Sequence, residues 1–528
     1  MRLTSIAFLV FAAAARAAGA ASPDGPVVIF LVDTLRPDRM SVYGAPHATT
    51  PAAERLAREA IVFEHAYSLS SWTRASVGTL FTSLLPAAAG TLDSKGKLDP
   101  AVATLPQLYR DRGWTTGAFV GNPLVGPGTG VARGFSVFEM VDTREAGFEG
   151  HPRARAVVDP AIRFVERQTS RRFFLYVHTV DPHLPFSLEP ENRTLFAGEP
   201  AGPHQGEREA LFLDYDRSIR QADDQFARLA AALRAKGFWD GATIVYTADH
   251  GEEFYEHGDR GHGRTLYEEQ IRIPLLLKLP AGSGEPARRP ELVSLADVAP
   301  TLAKLHSLPR QAAWIGSDLL APLPERPFYF TEDLGGDRLF ALRTGAKKVI
   351  VRLYPKFDER VFDLAEDPGE KTGQTISCGK PPPDDARALL SALETFRARD
   401  AASFPRVELQ KEGTESLRFL LVMSLSDNPL PFLTTDAYCR YEAQVRGSAF
   451  TLAAEIAGGE PFRLSIAASE SGELPPYRLT VFDSRGNVVS GARRDSLLRR
   501  LRVERPTLSE ESADQIRKLR NLGYLGGP

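Results

Sequence analysis

The chain has 528 residues, 43% of them apolar and 25% charged, which is enough to bury a large core and excludes a disordered chain or a membrane bundle. A formal net charge of −3 offers no global attraction to nucleic acid or anionic lipid, so no nucleic-acid partner is expected and any bound anion must be held by local groups. Two cysteines, Cys378 and Cys439, are too few for a disulfide scaffold; they allow one bridge and lack the spacing of a metal site.

Residues 1–21 carry one early charge at Arg2, an apolar run from Ile6 to Ala15 and an Ala-Gly-Ala stretch at Ala18 to Ala20. This reads as a secretory signal cleaved near Ala20 to Ala21, so the mature chain is expected in the periplasm or outside the cell. The run is short for a membrane span and is closed by Arg16; no stable transmembrane span is expected in the mature chain.

The mature chain opens with PVVIFLVD, a continuous apolar run ending at Asp33, as suits a strand covered on both sides. Similar runs end at Asn122, Asp181 and His250, and another covers Ile271 to Leu279. Helical patterns lie between them, at Pro51 to Ala60, Asp159 to Gln168 and Ser218 to Gly237, with another at Leu295 to Leu308. The alternation predicts an α/β fold over residues 22–405: a large mixed, mainly parallel sheet with helices on both faces. KKVIVRLYP and ERVFDLAEDPGE read as a hairpin-like β element packed on it. A Pro-rich turn at Gly379 to Asp385 precedes a helix from Ala386 to about Ala402. Residues 406–528 read as a smaller C-terminal β-rich module, with FRLSIAAS and YRLTVFDSRGNVVSG as strands, Asp483 to Gly486 at a turn and an amphipathic terminal helix.

Four of the apolar runs release a polar or ionisable residue where the strand ends, and ligands of open α/β sheets sit outside those carboxyl ends. Asp249 and His250 in TADHG supply hard and borderline ligands suited to Zn²⁺ or Mn²⁺, and Asp33 has the same placement on another strand. Thr73 in SSWTRASVGTLFTS falls at the start of a predicted helix, where free N–H groups receive an anionic ester. Its hydroxyl needs a metal or base to become a nucleophile, and the alternative reading is a helix cap.

The stretches VVIFLVDTLRPDRMSVYG, TTPAAERLAREAIVFEHAYSLSSWTRASVGTLFTSLLP, FFLYVHTVDPHLPF, YTADHGEEFYEHGDRGHGRTLYEEQIRIPLLLKLP and VFDLAEDPGE resemble the sulfatase family, within the alkaline-phosphatase superfamily, over most of Val27 to Glu370. The resemblance implies an alkaline-phosphatase-like fold and metal-dependent ester chemistry. It also marks departures. Registering SVGTLFTS on the family's signature puts Thr73 where the family oxidises cysteine or serine to formylglycine. Threonine carries a β-methyl, so formylglycine is not expected. A competing register begins at Ser70 and ends at Arg74, but breaks the downstream spacing. Thr34 stands where calcium-dependent members have a second aspartate, and His250 where they often have asparagine, which favours one Mn²⁺ or Zn²⁺ over Ca²⁺. A second metal would need a further set such as Asp181, His183 and His262, whose spacing fits poorly.

By the same resemblance, His183 contacts the ester anion or protonates the leaving group, while His178 is open between substrate contact and a structural hydrogen bond. His262 lies where the family places a substrate-binding lysine. Arg74, Asn122 and His257 are further substrate-binding candidates; His257 is also placed to pair with Glu252 or Glu253. The expected function is attack by Thr73 on a phosphate ester, a phosphodiester in particular. Asp33, Thr73, Asp249 and His250 would hold the metal, with His183 or His262 at the leaving oxygen. Sulfuric ester hydrolysis is the alternative, and a non-catalytic envelope protein binding a lipid or glycan is the second.

Overall fold

The computed structural model describes residues 25–92, 96–141, 153–198, 206–332, 334, 339–352, 358–375 and 393, and the strands of the C-terminal module between 406 and 503 with part of one turn. The predicted signal, both cysteines, the Pro-rich turn and the terminal helix lie outside the described residues, as does the helix beginning at Ala386 apart from residue 393. No described helix is long and apolar enough to cross a membrane.

The main sheet contains β1 (Val27–Val32), β2 (Ala60–Tyr67), β3 (Thr115–Val120), β4 (Val137–Met140), β5 (Phe173–Thr179) and β6 (Thr243–Thr247). After a two-stranded hairpin, β7 (Glu253–Phe254) and β8 (Arg260–Gly261), β9 (Arg272–Lys278) and β10 (Ala287–Ser294) complete it. The order is β10-β2-β9-β6-β1-β5-β3-β4. Only β9 pairs antiparallel with its neighbours, so the large mixed, mainly parallel sheet is as the sequence predicts. The continuous run Val27 to Val32 sits at the centre because all six side chains are fully buried, each burial being worth about 1.5–3 kcal/mol.

The helices are α1 (Pro51–Ala57), α2 (Thr73–Thr82), α3 (Pro86–Ala89), α4 (Leu105–Arg110), α5 (Ala154–Arg167), α6 (Glu207–Ala235), α7 (Glu268–Ile271) and α8 (Val298–Leu305). α6 begins eleven residues before the expected start at Ser218, because Phe212 and Tyr215 continue the buried stripe of Ile219, Ala222, Phe226, Leu229 and Leu233. α5 begins at Ala154, with the Asp181 carboxylate accepting from the Ala154 N–H at 3.1 Å.

A second, antiparallel sheet has the order β11 (Phe328–Glu332), β12 (Leu339–Thr344), β13 (Lys347–Arg352), β14 (Asp358–Asp363) and β15 (Gln374–Thr375). The expected hairpin is its β13–β14 pair. The C-terminal module consists of β16 (Arg406–Lys411), β17 (Leu417–Ser424), β18 (Arg440–Arg446), β19 (Ala449–Ile456), β20 (Arg463–Ala467), β21 (Tyr477–Phe482), β22 (Val488–Val489) and β23 (Leu498–Val503). They form a three-stranded and a five-stranded sheet, so this segment is β-rich as predicted.

Candidate functional site

Parallel pairing brings the carboxyl ends of β6, β1, β5 and β3 side by side, and each delivers a polar residue there. Asp33 follows β1, Asn122 follows β3, His178 is next to last in β5, and Asp249 and His250 follow β6. Thr73, the first residue of α2, meets them from another direction. Asp33, Thr73, His178, Asp249 and His250 are fully buried, and Asn122 nearly so.

The two aspartates are held alike. Asp33 Oδ2 accepts from Asn122 Nδ2 at 2.6 Å and lies 3.2 Å from His178 Nε2. Asp249 Oδ1 accepts the N–H groups of Thr34 and His250 at 3.2 and 2.9 Å. Their other oxygens, Asp33 Oδ1 and Asp249 Oδ2, are buried with no hydrogen-bond partner among the described residues. A buried carboxylate oxygen without a donor is costly. His250 Nε2 lies 3.8 Å from the first and 3.5 Å from the second. Because His250 Nδ1 sits 2.9 Å from the Gly251 carbonyl, its proton belongs there and Nε2 presents a lone pair. Burial, and then the charge of His262, push the His250 imidazole well below its ordinary value, which keeps that lone pair free.

Two orphaned carboxylate oxygens and an imidazole lone pair, with the Thr73 hydroxyl 3.3 Å from His250 Nε2, fit a divalent cation. Asp33, His178 and Asp249 also each offer a ligand atom within 4.8 Å of the others. His178, open in the sequence between substrate contact and a structural hydrogen bond, lies against the carboxylates, with Nδ1 2.9 Å from the Tyr176 hydroxyl. Burial raises the Asp33 carboxyl, but His178, His183 and His250 outweigh it and hold the group well below the usual carboxylate range. Asp249 is pushed up to about 7, chiefly by burial and then by the Asp33 charge.

His183 and His262 stand together, their ring centroids 4.8 Å apart, and the His262 ring is 4.2 Å from that of His250. His262 Nδ1 contacts Glu252 Oε1 at 3.1 Å. Burial disfavours the charged ring, but Glu252 overcomes it and His262 rises to about 9. The Arg74 guanidinium donates to the carbonyls of Leu124 and Gly96 at 3.1 and 2.8 Å. His257 lies on the β7–β8 turn, stacked 3.6 Å from Tyr267; its ring contacts Glu269 at 2.6 Å and the Glu370 carbonyl at 3.1 Å, while Glu253 accepts from its main-chain N–H at 3.0 Å. Glu253, His257 and Glu269 form a second cluster of ligand-type groups. Its members already bond one another or neighbouring N–H groups.

Tyr176, which orients His178, escaped the sequence reading, and Glu252, which orients His262, was read there only as a partner for His257. Tyr176 lies inside an apolar strand and looks like core, while Glu252 is one of several glutamates in one loop. Only packing distinguishes them.

A family model described as "Sulfatase" matches residues 26–307. An ulvan-active sulfatase of Formosa agariphila is 22% identical over 56% of this chain and 64% of its own length. The mouse steryl-sulfatase is 28% identical over 47% of this chain and 41% of its own length. The chain thus spans less than two thirds of the length of these relatives. A solved structure of a protein in complex with its substrate D-glucosamine-2-N,6-O-disulfate superposes with a TM-score of 0.63 at 18% identity, covering 72% of this chain and 98% of that one.

These matches overturn the expectation of a phosphate ester, and of a phosphodiester in particular. That expectation leaned on threonine and the Asp-His pair, but sulfate and phosphate are both tetrahedral oxyanions that the same donors can hold, so these residue types do not choose between them. The matched span carries all the strand-end residues that meet at the buried oxygens, as well as Thr73, and the chain belongs to the sulfatase family.

Proposed function

We propose that this chain is a metal-dependent sulfuric ester hydrolase that cleaves a sulfate monoester at the Thr73 end of α2. The observation that carries the reading is the pair of buried, unpartnered oxygens, Asp33 Oδ1 and Asp249 Oδ2, facing the His250 lone pair beside Thr73. The family and its sulfatase relatives favour sulfate, and relatives named for ulvan and for N-acetylgalactosamine-6-sulfate favour a carbohydrate as the alcohol.

Asp33, Asp249 and His250 would hold the cation, with Thr73 and His178 alongside; an imidazole among oxygen donors suits Mn²⁺ or Zn²⁺ better than Ca²⁺. A bound cation supplies Lewis-acid stabilisation of charge on the sulfate oxygens and makes the Thr73 hydroxyl more acidic. Asn122 fixes the Thr73 oxygen by donating to it at 3.2 Å. Thr73 Oγ1 attacks sulfur and gives up its proton to a water molecule that enters with the substrate while the ester S–O bond breaks. Protonated His262, with His183 beside it, delivers a proton to the departing alcohol oxygen. Water then attacks the sulfur of the sulfothreonine, losing a proton to the His262 imidazole left neutral by the first step, while the S–Oγ1 bond breaks, Oγ1 takes a proton to restore the threonine hydroxyl and sulfate leaves. The free N–H groups of the first turn of α2 favour the anion throughout.

The test compares kcat/KM for an aryl sulfate and the matching aryl phosphodiester with Mn²⁺, Zn²⁺ and Ca²⁺ in turn, for wild type, Thr73→Ser and Thr73→Ala. Sulfate is expected to react at least about tenfold faster. Thr73→Ala should lose about 10⁶-fold, on the scale of losing a covalent nucleophile, and Thr73→Ser should retain activity. Preferential phosphodiester cleavage, or a Thr73→Ala enzyme as fast as wild type, would sink the reading.

A further inference from the structure

β11 of the second sheet ends on Glu332, a fully buried residue 259 positions beyond Thr73. One of its oxygens accepts from Ser70 Oγ at 2.8 Å, Ser71 N at 3.1 Å and Ser71 Oγ at 3.0 Å. The other accepts from Leu334 N at 2.7 Å. Beside it, the Thr331 N–H donates to the Leu69 carbonyl at 2.9–3.0 Å spacing typical of a strand pair, here 3.0 Å. β11 therefore reads the main chain of Leu69 to Ser71 almost as a neighbouring strand would, and the carboxylate closes the contact.

That segment leads straight into the site. From Ser71 the chain passes through extended Trp72, at φ −145° and ψ 156°, into Thr73. Both serines are buried. On the other side of the turn, Ser68 and Ser76 join their hydroxyls at 2.7 Å and Ser76 Oγ donates to the Ser70 carbonyl at 3.1 Å, which ties the main chain at the entry of α2 to its first turn, while the hydroxyls of Ser70 and Ser71 and the Ser71 N–H go to Glu332.

Leu334 extends the contact to a second arm. Gly263 has φ +72°, which favours glycine, and a Cβ there would lie 2.6 Å from the end of the Leu334 side chain, so the two residues are in direct contact. Its neighbour is His262. Glu332 and Leu334 therefore touch the segment that carries Thr73 and the loop that carries His262.

We infer that Glu332 is a positioning residue: through Ser70 and Ser71 it fixes where Thr73 enters α2, and through Leu334 it seats the His262 loop against the same site. The inference rests on the reading of Thr73 and His262 as reacting groups. It makes the second sheet a working wall of the site, as no single residue motif around Thr73 would suggest.

The experiment uses the full metal-loaded chain as wild type, Glu332→Ala, Glu332→Gln and Ser71→Ala, with aryl sulfate kinetics and amide hydrogen exchange on the same samples. Displacing a reacting group by about 1 Å costs on the order of 10²-fold. Glu332→Ala is expected to lose about that much kcat with KM changed less than about threefold, and to lose exchange protection over residues 69–76 while β1 and β6 keep theirs. Glu332→Gln, which retains an acceptor, should recover at least about a tenth of wild-type kcat. Unchanged protection at 69–76 in Glu332→Ala, or a loss spread evenly into the central sheet, would overturn the proposal. If Glu332→Ala fails to fold, Ser71→Ala decides: a smaller kcat loss with exchange confined to the same segment supports it, and no change in either refutes it. A wild-type chain inactive on sulfate would fail the functional reading alone, since the exchange arm still decides whether Glu332 holds the Thr73 segment.

Discussion

Asn122 Nδ2 lies 2.6 Å from Asp33 Oδ2 and 3.2 Å from Thr73 Oγ1, so one amide ties the β1 carboxylate to the hydroxyl that begins α2. Its orientation is fixed because Oδ1 is taken by the Leu124 N–H at 2.8 Å, which leaves both amide hydrogens for the site. Groups that orient metal ligands typically matter by about 10–100-fold. Asn122→Ala is therefore expected to weaken divalent-metal binding by about that factor, read by calorimetric titration, and to lower kcat. Asn122→Asp places a second anion against Asp33 and should be worse for folding of the metal-free chain. Metal affinity equal to wild type in Asn122→Ala would refute this coupling.

Asp249 tests the cation site without any turnover. Burial and the Asp33 charge raise its carboxyl to about 7 in the folded chain, above the ordinary value of 3.8. A carboxyl raised on folding favours the native state below its unfolded value, and that contribution is lost as pH rises through about 7. Asp249→Asn keeps an oxygen for the two N–H donors and removes the charge. The metal-free variant should melt above the metal-free wild type at pH 8. With metal at about 100 times Kd, the wild type should gain about 2.7 kcal/mol and the variant almost nothing. Equal metal-induced shifts in the two proteins would place the cation elsewhere.

The sequence exposes this site unevenly, for physical reasons. Asp33, Asp249 and His250 are visible because each ends or follows an apolar run that only a buried central strand explains, and parallel strands gather their ends. β2, with His65 and Glu64 interrupting its outer half, and β10, with ARRPEL at the sheet edge, have too little apolar alternation to be recognised. Which residues stand behind the ligands is not written in any local pattern. Tyr176 and Glu332 each look like one more strand residue until the fold sets a histidine or two serines against them. Whether the ester is a sulfate or a phosphate was equally hidden, because the donors that bind one tetrahedral oxyanion bind the other.

His257 provides a pH signature away from the metal cluster. Burial works against its charged form, but the hydrogen bond to Glu269 prevails and the imidazole titrates above its ordinary 6.5. A histidine raised on folding stabilises the native state most below its unfolded value, and the contribution fades as pH climbs through the folded one. The melting temperature of wild type relative to His257→Gln is thus expected to be highest near pH 6 and to fall toward pH 9. A difference independent of pH would mean that the stacking on Tyr267, at 3.6 Å, and not the ion pair, is what His257 contributes.

Thr34 carries backbone strain at the centre of the site. It has φ +57°, a left-handed conformation that β-branched residues rarely adopt, and its hydroxyl is buried without a partner among the described residues. The surrounding groups enforce it: Thr34 N donates to Asp249 Oδ1 at 3.2 Å, and the Tyr215 hydroxyl donates to the Thr34 carbonyl at 2.6 Å. Strain of this kind costs about 1–3 kcal/mol, and here it orients Asp249. Thr34→Gly removes both the strain and the unsatisfied hydroxyl, partly offset by the greater freedom of glycine in the unfolded chain. Urea unfolding of the metal-free variant should therefore show a gain of about 1 kcal/mol, while kcat on an aryl sulfate falls about tenfold as the Asp33 to Asp249 linkage loosens. A variant both less stable and fully active would show that the left-handed turn is structural support and stores nothing for the site.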